Sequence, residues 1–213
     1  MRCTLREWQV CLKKNTDIIL QASSIPGEDG RTDLWQPFPI GMSWQWEAER
    51  RAARTPPQQG THSDLVLCAI NEFTDIRRKK SPVNRQKIVA TLSRRMILNQ
   101  ILHPSQYFRT LPNYKFVISP EGNGVDCHRH YEALIAGCIP IVEDNTLTRE
   151  KYAGCPILFT KDYSEIRPTY LEKKWIQMLD QTWDFSSLLL SSYSLEQQQT
   201  IQDCSAYWIA RLL

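Results

Sequence analysis

The sequence predicts a doubly wound α/β domain running from about residue 61 to the end of the chain. Short apolar runs rich in β-branched residues alternate with longer stretches of helical periodicity, the order that builds a parallel sheet with crossover helices. The runs are apolar throughout, as strands covered on both faces must be. A glycine-bearing loop, "SPEGNGVDCHRHYEAL" at Ser119 to Leu134, joins one such run to a helical stretch.

The first strand is "DLVLCAI", Asp64 to Ile70. A helix follows in "SPVNRQKIVATLSRRMILNQIL", where Ile88, Leu92 and Met96 recur at helical spacing beside Val89 and Ile97, with Ser81 and Pro82 as start signals. "YKFVIS" at Tyr114 to Ser119 is the second strand. The helix after the quoted loop is expected over 127–136, with Gly137 as its stop. "IPIVED" is the third strand and "CPILFT", Cys155 to Thr160, the fourth. Two helices close the chain. One carries Leu171, Trp175, Met178 and Leu179 on one face, the other Ile201, Ser205, Trp208 and Leu212.

Residues 1–60 read differently. Pro and Gly cluster over 23–41 and a polar stretch covers 53–64, so this region is expected to be irregular apart from one helix in "MSWQWEAERRAAR", with a soft boundary near Gly60. Tyr131 and the tryptophans, including Trp44 and Trp46, are expected in the core or at a domain contact.

Bulk properties fit an ordinary folded chain. It has 213 residues, 42% hydrophobic and 23% charged, enough for one well-buried core. A net charge of +3 does not require nucleic acid but favours a phosphorylated ligand. "RRKK" at Arg77 to Lys80 reads as a solvated turn. No apolar run reaches the roughly 20 residues of a membrane span, and the N-terminus has no secretory pattern. The seven cysteines form no CxxC pair, so reduced thiols and a cytoplasmic location are expected. The spacings of Cys127, His128, His130, Cys138 and Cys155 match no compact zinc pattern.

The quoted loop stands where α/β sheets bind ligands, beyond the carboxyl end of a strand. Gly122 and Gly124 permit close approach to the backbone, and the helix N-terminus favours an anion. Arg129 supplies a bidentate grip for phosphate, and Glu132, one turn on, accepts from the paired hydroxyls of a ribose. Asn123 lies in the loop, Asp126 either caps the helix or meets the ligand, and His128 is placed to bond the diphosphate or sugar. His130 reads as structural. Arg85, starting the preceding helix on the same sheet edge, is a further phosphate candidate, with Asn71 and Thr74 nearby. The plainer alternative pairs Arg129 with Glu132 on an exposed helix face.

The 28 residues "KFVISPEGNGVDCHRHYEALIAGCIPIV" closely resemble the donor-site segment of exostosin-like glycosyltransferases, with an apolar strand, a Pro-x-Gly loop, Arg followed by Tyr-Glu-Ala-Leu, then Gly-Cys-x-Pro. "PIGM" at Pro39 to Met42 and "CPILFTKDYSEIRPTYL" extend the similarity more weakly. The resemblance implies the Rossmann-like donor half of a GT-B enzyme. It implies a UDP- or GDP-sugar as donor, inverting transfer to a glycan or glycoprotein acceptor, and no obligatory metal, in keeping with the absence of an Asp-x-Asp motif. It places the phosphate contact on Arg129 and the ribose contact on Glu132. Another domain or chain would complete the cleft and supply the catalytic base, since Asp29, Asp33, Glu47 and Glu49 have no motif behind them. A non-catalytic nucleotide-sugar-binding module and a phosphate-binding scaffold for nucleic acid are the rival classes.

Overall fold

The computed structural model describes residues 2–11, 38–43, 45–46, 60–122 and 124–201. Strand β1 (Arg2–Thr4) leads into helix α1 (Leu5–Cys11) through a reciprocal cap. The Thr4 backbone N–H donates to the Glu7 carboxylate at 2.7 Å while the Glu7 N–H donates to Thr4 Oγ1 at 3.2 Å. The Trp8 ring stacks on Phe185 at 4.3 Å, and its Nε1 donates to Leu134 O at 2.8 Å. Leu5, Trp8, Phe38, Met42 and Trp46 therefore share one core with the later residues.

The central sheet contains β2 (Asp64–Leu67), β3 (Tyr114–Ile118), β4 (Ile139–Glu143) and β5 (Leu158–Thr160), all parallel and in chain order. All five residues of β4 are buried, because β4 has a strand on each side and cover on both faces. The α/β architecture expected from the alternating pattern is thus present.

Helix α2 (Arg85–Ser93) starts later than Ser81 and Pro82 suggested. The Asn84 side chain caps it by accepting from Lys87 N at 3.0 Å, and Ser81 instead holds the preceding turn by accepting from Val83 N. It also stops earlier than periodicity suggested. Met96 takes φ +63 with Ile97 N–H reaching back to Leu92 O, a left-handed helix stop built on methionine, so Met96 is exposed rather than on the buried face.

Helix α3 (Pro104–Thr110) was not foreseen; it is seven residues long and opens with a His103 capping box to Gln106. Helix α4 (His128–Ile135) follows the glycine loop and ends at Gly137, φ +75, where a Cβ would lie 2.8 Å from Gln9 Cγ. Helix α5 (Thr146–Lys151), also unforeseen, is capped by Asn145. Helix α6 (Pro168–Leu179) buries Leu171, Met178 and Leu179 and sets Trp175 edge-on to Phe116 of β3. Strand β6 (Thr182–Asp184) then pairs antiparallel with β1.

A final helix begins at Leu195 and buries Ile201. Ser205, Trp208, Leu212, Trp44 and most of the helix expected around residues 42–54 lie outside the described residues. Among the described residues no helix is long and apolar enough to cross a membrane.

Candidate functional site

The loop 119–127 leaves β3 at the carboxyl edge of the sheet and is fixed from beneath. His130 Nε2 faces Val125 O at 3.3 Å and Nδ1 faces Ser119 Oγ at 2.6 Å. A carbonyl only accepts, so Nε2 carries the proton and Nδ1 accepts from the hydroxyl. Burial pushes His130 below its ordinary value, which keeps the ring neutral and structural.

Asp126 does not cap α4, and its buried carboxylate is engaged within the protein. The cap position belongs to Cys127, whose side chain makes no capping bond, and burial pushes that thiol up to about 11. The Asp126 carboxylate instead accepts from Ile40 N at 2.8 Å, Lys151 Nζ at 3.0 Å and Tyr152 OH at 2.8 Å. It ties the 38–43 segment and the end of α5 to the loop.

Arg85 is buried and spends its donors on protein. Nε donates to Glu121 O, one terminal nitrogen to Asn71 O and Thr74 Oγ1, and the other to Pro120 O and Cys127 Sγ. A guanidinium has five N–H donors, and all five are engaged. Arg85 thus locks the 71–74 turn onto the 119–122 turn instead of presenting itself to phosphate. The same lock explains Gly122: its φ is not left-handed, but a Cβ there would meet the Arg85 guanidinium at 3.0 Å. Gly122 N–H turns the loop by donating to Gly124 O at 3.0 Å. Asn71 and Thr74 are exposed at this rim, and Asn123 lies outside the described residues.

Arg129 and Glu132 do not pair with each other. Arg129 donates to Ala69 O at 3.1 Å, just past β2, and its guanidinium packs over the Tyr107 ring at 5.7 Å. Burial opposes its charge, but Tyr107 and Glu132 outweigh that and hold it charged. Glu132 is only 5% exposed, and its carboxylate has no hydrogen bond or ion pair among the described residues. His128 Nδ1 donates to Gly41 O at 2.9 Å, which leaves Nε2 as the ring's open nitrogen at the start of α4. The described site therefore joins an uncapped helix N-terminus, a charged guanidinium, an unpaired carboxylate and one open imidazole nitrogen, a combination suited to a phosphorylated diol.

A second polar cluster borders the loop. Arg78 donates to Glu143 at 2.7 Å, to Glu121 O at 2.9 Å and to Val83 O at 2.8 Å, so it is not part of a solvated turn. Glu143 also accepts from Glu121 N and Tyr163 OH, each at 3.0 Å, and Asn145 donates to the Glu121 carboxylate at 3.3 Å. Burial first, then the charge of Glu143, pushes Glu121 up to about 7. Sequence reasoning missed this cluster because its members are spread from Arg78 to Tyr163; the only hint was one acidic residue ending a strand, Glu143, and another, Glu121, just past the end of the neighbouring strand. Asp29, Asp33, Glu47 and Glu49 lie outside the described residues.

A protein-family profile described as the RXYLT1 C-terminal domain matches residues 79–202, which include Arg85 and the whole 119–132 segment. Two relatives carry the name ribitol-5-phosphate xylosyltransferase 1. The one from Danio rerio is 31% identical over 106 residues, 44% of this chain and 24% of the relative. The one from Homo sapiens is 30% identical over 112 residues, 42% of this chain and 25% of the relative. The chain thus spans about a quarter of the length of the curated relatives it matches.

Proposed function

The chain belongs to the RXYLT1 C-terminal domain family, and from that premise we propose that it is the donor-binding part of a glycosyltransferase. The reaction moves a sugar from a nucleoside diphosphate to an acceptor hydroxyl with inversion at the anomeric carbon. The single observation that carries this reading is the unpaired, buried Glu132 carboxylate one helical turn behind an N-terminus that has no side-chain cap. The exostosin-like character of residues 115–142 supports a GT-B arrangement in which this sheet holds the donor.

In the proposed mechanism the acceptor oxygen attacks the anomeric carbon while the diphosphate leaves. The chemical difficulty is negative charge growing on that leaving group. Preorganised donors aimed there lower the barrier: the first-turn amides of α4 and Arg129, while His128 Nε2, which carries no proton when Nδ1 donates to Gly41 O, accepts from a sugar hydroxyl. Glu132 accepts from the ribose hydroxyls and so fixes the reacting bond relative to those donors. Arg85 acts indirectly, by holding the two turns that shape the phosphate loop. The base that takes the acceptor's proton belongs to a part of the cleft outside the described residues or to another domain or chain.

The relatives' name suggests the first substrates to try. UDP-xylose, GDP-linked sugars and ribitol 5-phosphate would be supplied to the protein, and transfer or donor hydrolysis would be followed by product mass. Product formed from one donor and lost in Glu132→Ala supports the reading. Donor binding with neither transfer nor hydrolysis, in this chain and in a longer protein containing it, would favour a non-catalytic binding module.

A further inference from the structure

Buried polar atoms in folded proteins nearly always have partners, so the exceptions ask for an explanation. Two exceptions among the described residues are neighbours: the Tyr107 hydroxyl on α3 and Nε of Arg129 on α4. Tyr107 is 8% exposed. Its hydroxyl feels the charges of Glu132 and Arg129 and lies within reach of the guanidinium, yet the contact is too poorly aligned to make a full hydrogen bond. Three polar groups from two helices thus converge, with Tyr107 and Arg129 in marginal contact and neither the phenol nor Nε of Arg129 holding a well-formed hydrogen bond. Such an arrangement is costly by itself and becomes favourable where a polyhydroxylated ligand supplies well-aligned partners.

We propose that the Tyr107 hydroxyl is a third donor-site group, which hydrogen-bonds the ribose of the bound nucleotide beside Glu132. The inference rests on the donor-site reading and deepens it by adding a ribose contact that no motif marks. Tyr107 donates to a ribose oxygen, while Glu132 accepts from the ribose hydroxyls. Burial, then the nearby Glu132 charge, keeps the phenol protonated well above its ordinary value, so it is a donor throughout the physiological range. Arg129, packed over the Tyr107 ring, uncovers the hydroxyl as its guanidinium turns toward the diphosphate.

The test uses the Tyr107→Phe variant, which removes one oxygen and keeps the ring under Arg129. Its melting temperature is measured beside that of the wild type, and UDP, GDP and their 2′-deoxy counterparts are titrated calorimetrically into both. The proposal predicts an unchanged or higher melting temperature, because an unsatisfied hydroxyl has been removed. It also predicts about tenfold weaker binding of whichever ribonucleotide the wild type prefers, the effect of roughly one hydrogen bond, and a smaller preference for ribose over deoxyribose. Equal affinity in wild type and Tyr107→Phe, with binding lost in Glu132→Ala, overturns this inference and leaves the donor site standing. A markedly lower melting temperature also overturns it, since the hydroxyl would then have a partner within the protein. Failure of the wild type to bind any of these nucleotides overturns both readings.

Discussion

The Lys151 ammonium lies 3.0 Å from the Asp126 carboxylate, and both side chains are completely buried. Lys151 ends α5 and Asp126 precedes α4, so the pair joins two loops at the carboxyl edge of the sheet. Tyr152 OH and Ile40 N fill further acceptor positions on the carboxylate. The contact holds the candidate phosphate loop from within the protein.

Removing one partner of such a pair leaves a buried charge without compensation, which costs about 3 to 5 kcal/mol. Lys151→Met should therefore destabilise the protein by that order in chemical denaturation. Adding Asp126→Asn should recover a large part of the loss, because no uncompensated charge then remains. Equal stability of the single and double variants would contradict this role for the pair.

Arg85 and Arg129 should fail in different ways. Arg85→Ala unlocks the 71–74 and 119–122 turns by removing four hydrogen bonds made by a charged group, each worth about 1.5 to 3 kcal/mol. Its main effect should be a lower melting temperature. Arg129→Ala removes one carbonyl contact and a cation resting on an aromatic ring. Its main effect should be loss of nucleoside-diphosphate binding, by about ten- to a hundredfold if one charge-assisted contact of 1.5 to 3 kcal/mol is lost.

A side chain at Gly122 crowds Arg85, because a Cβ would stand 3.0 Å from a guanidinium that five contacts hold against giving way. Gly122→Ala should cost about 1 to 3 kcal/mol, the usual range for forcing extra volume into a packed site. In the Arg85→Ala background the same substitution should cost measurably less. A double-mutant cycle on denaturation midpoints reads the coupling directly.

The Glu121–Glu143 pair makes stability depend on pH. Glu121 is pushed up to about 7 from an ordinary 4.5, by burial first and then by Glu143. A carboxyl raised in the fold binds its proton more tightly there than when unfolded. Its contribution is complete below about pH 4.5 and is lost as pH rises through about 7. The wild-type melting temperature should carry a component that falls between those values, and Glu121→Gln should remove it. Identical pH profiles for the two proteins would contradict the raised carboxyl.

Much of the fold is legible in the sequence because the signals are local. Ile139 to Glu143 is apolar up to its last residue, and Gly137 takes the left-handed stop its identity suggests. Helix α2 ends on Met96 instead, where no glycine marks the turn, so periodicity alone overruns it. Helices α3 and α5 span barely two turns each and show too little periodicity to be read. Arg129 and Glu132 stand out by their spacing after a glycine loop. The occupation of Arg85 by backbone carbonyls and the pairing of Asp126 with Lys151 are tertiary facts. They join residues 14 to 36 positions apart, and no motif encodes those distances.

Calorimetric titration of a panel of nucleoside diphosphates and nucleotide sugars, into the wild type and into folded Arg129→Ala and Glu132→Ala variants, tests the central claim most directly. The donor-site account predicts base-selective binding to the wild type that both substitutions abolish or weaken by at least tenfold. Binding that is indifferent to the base and survives both substitutions, or no binding by the wild type to any member of the panel, would contradict it.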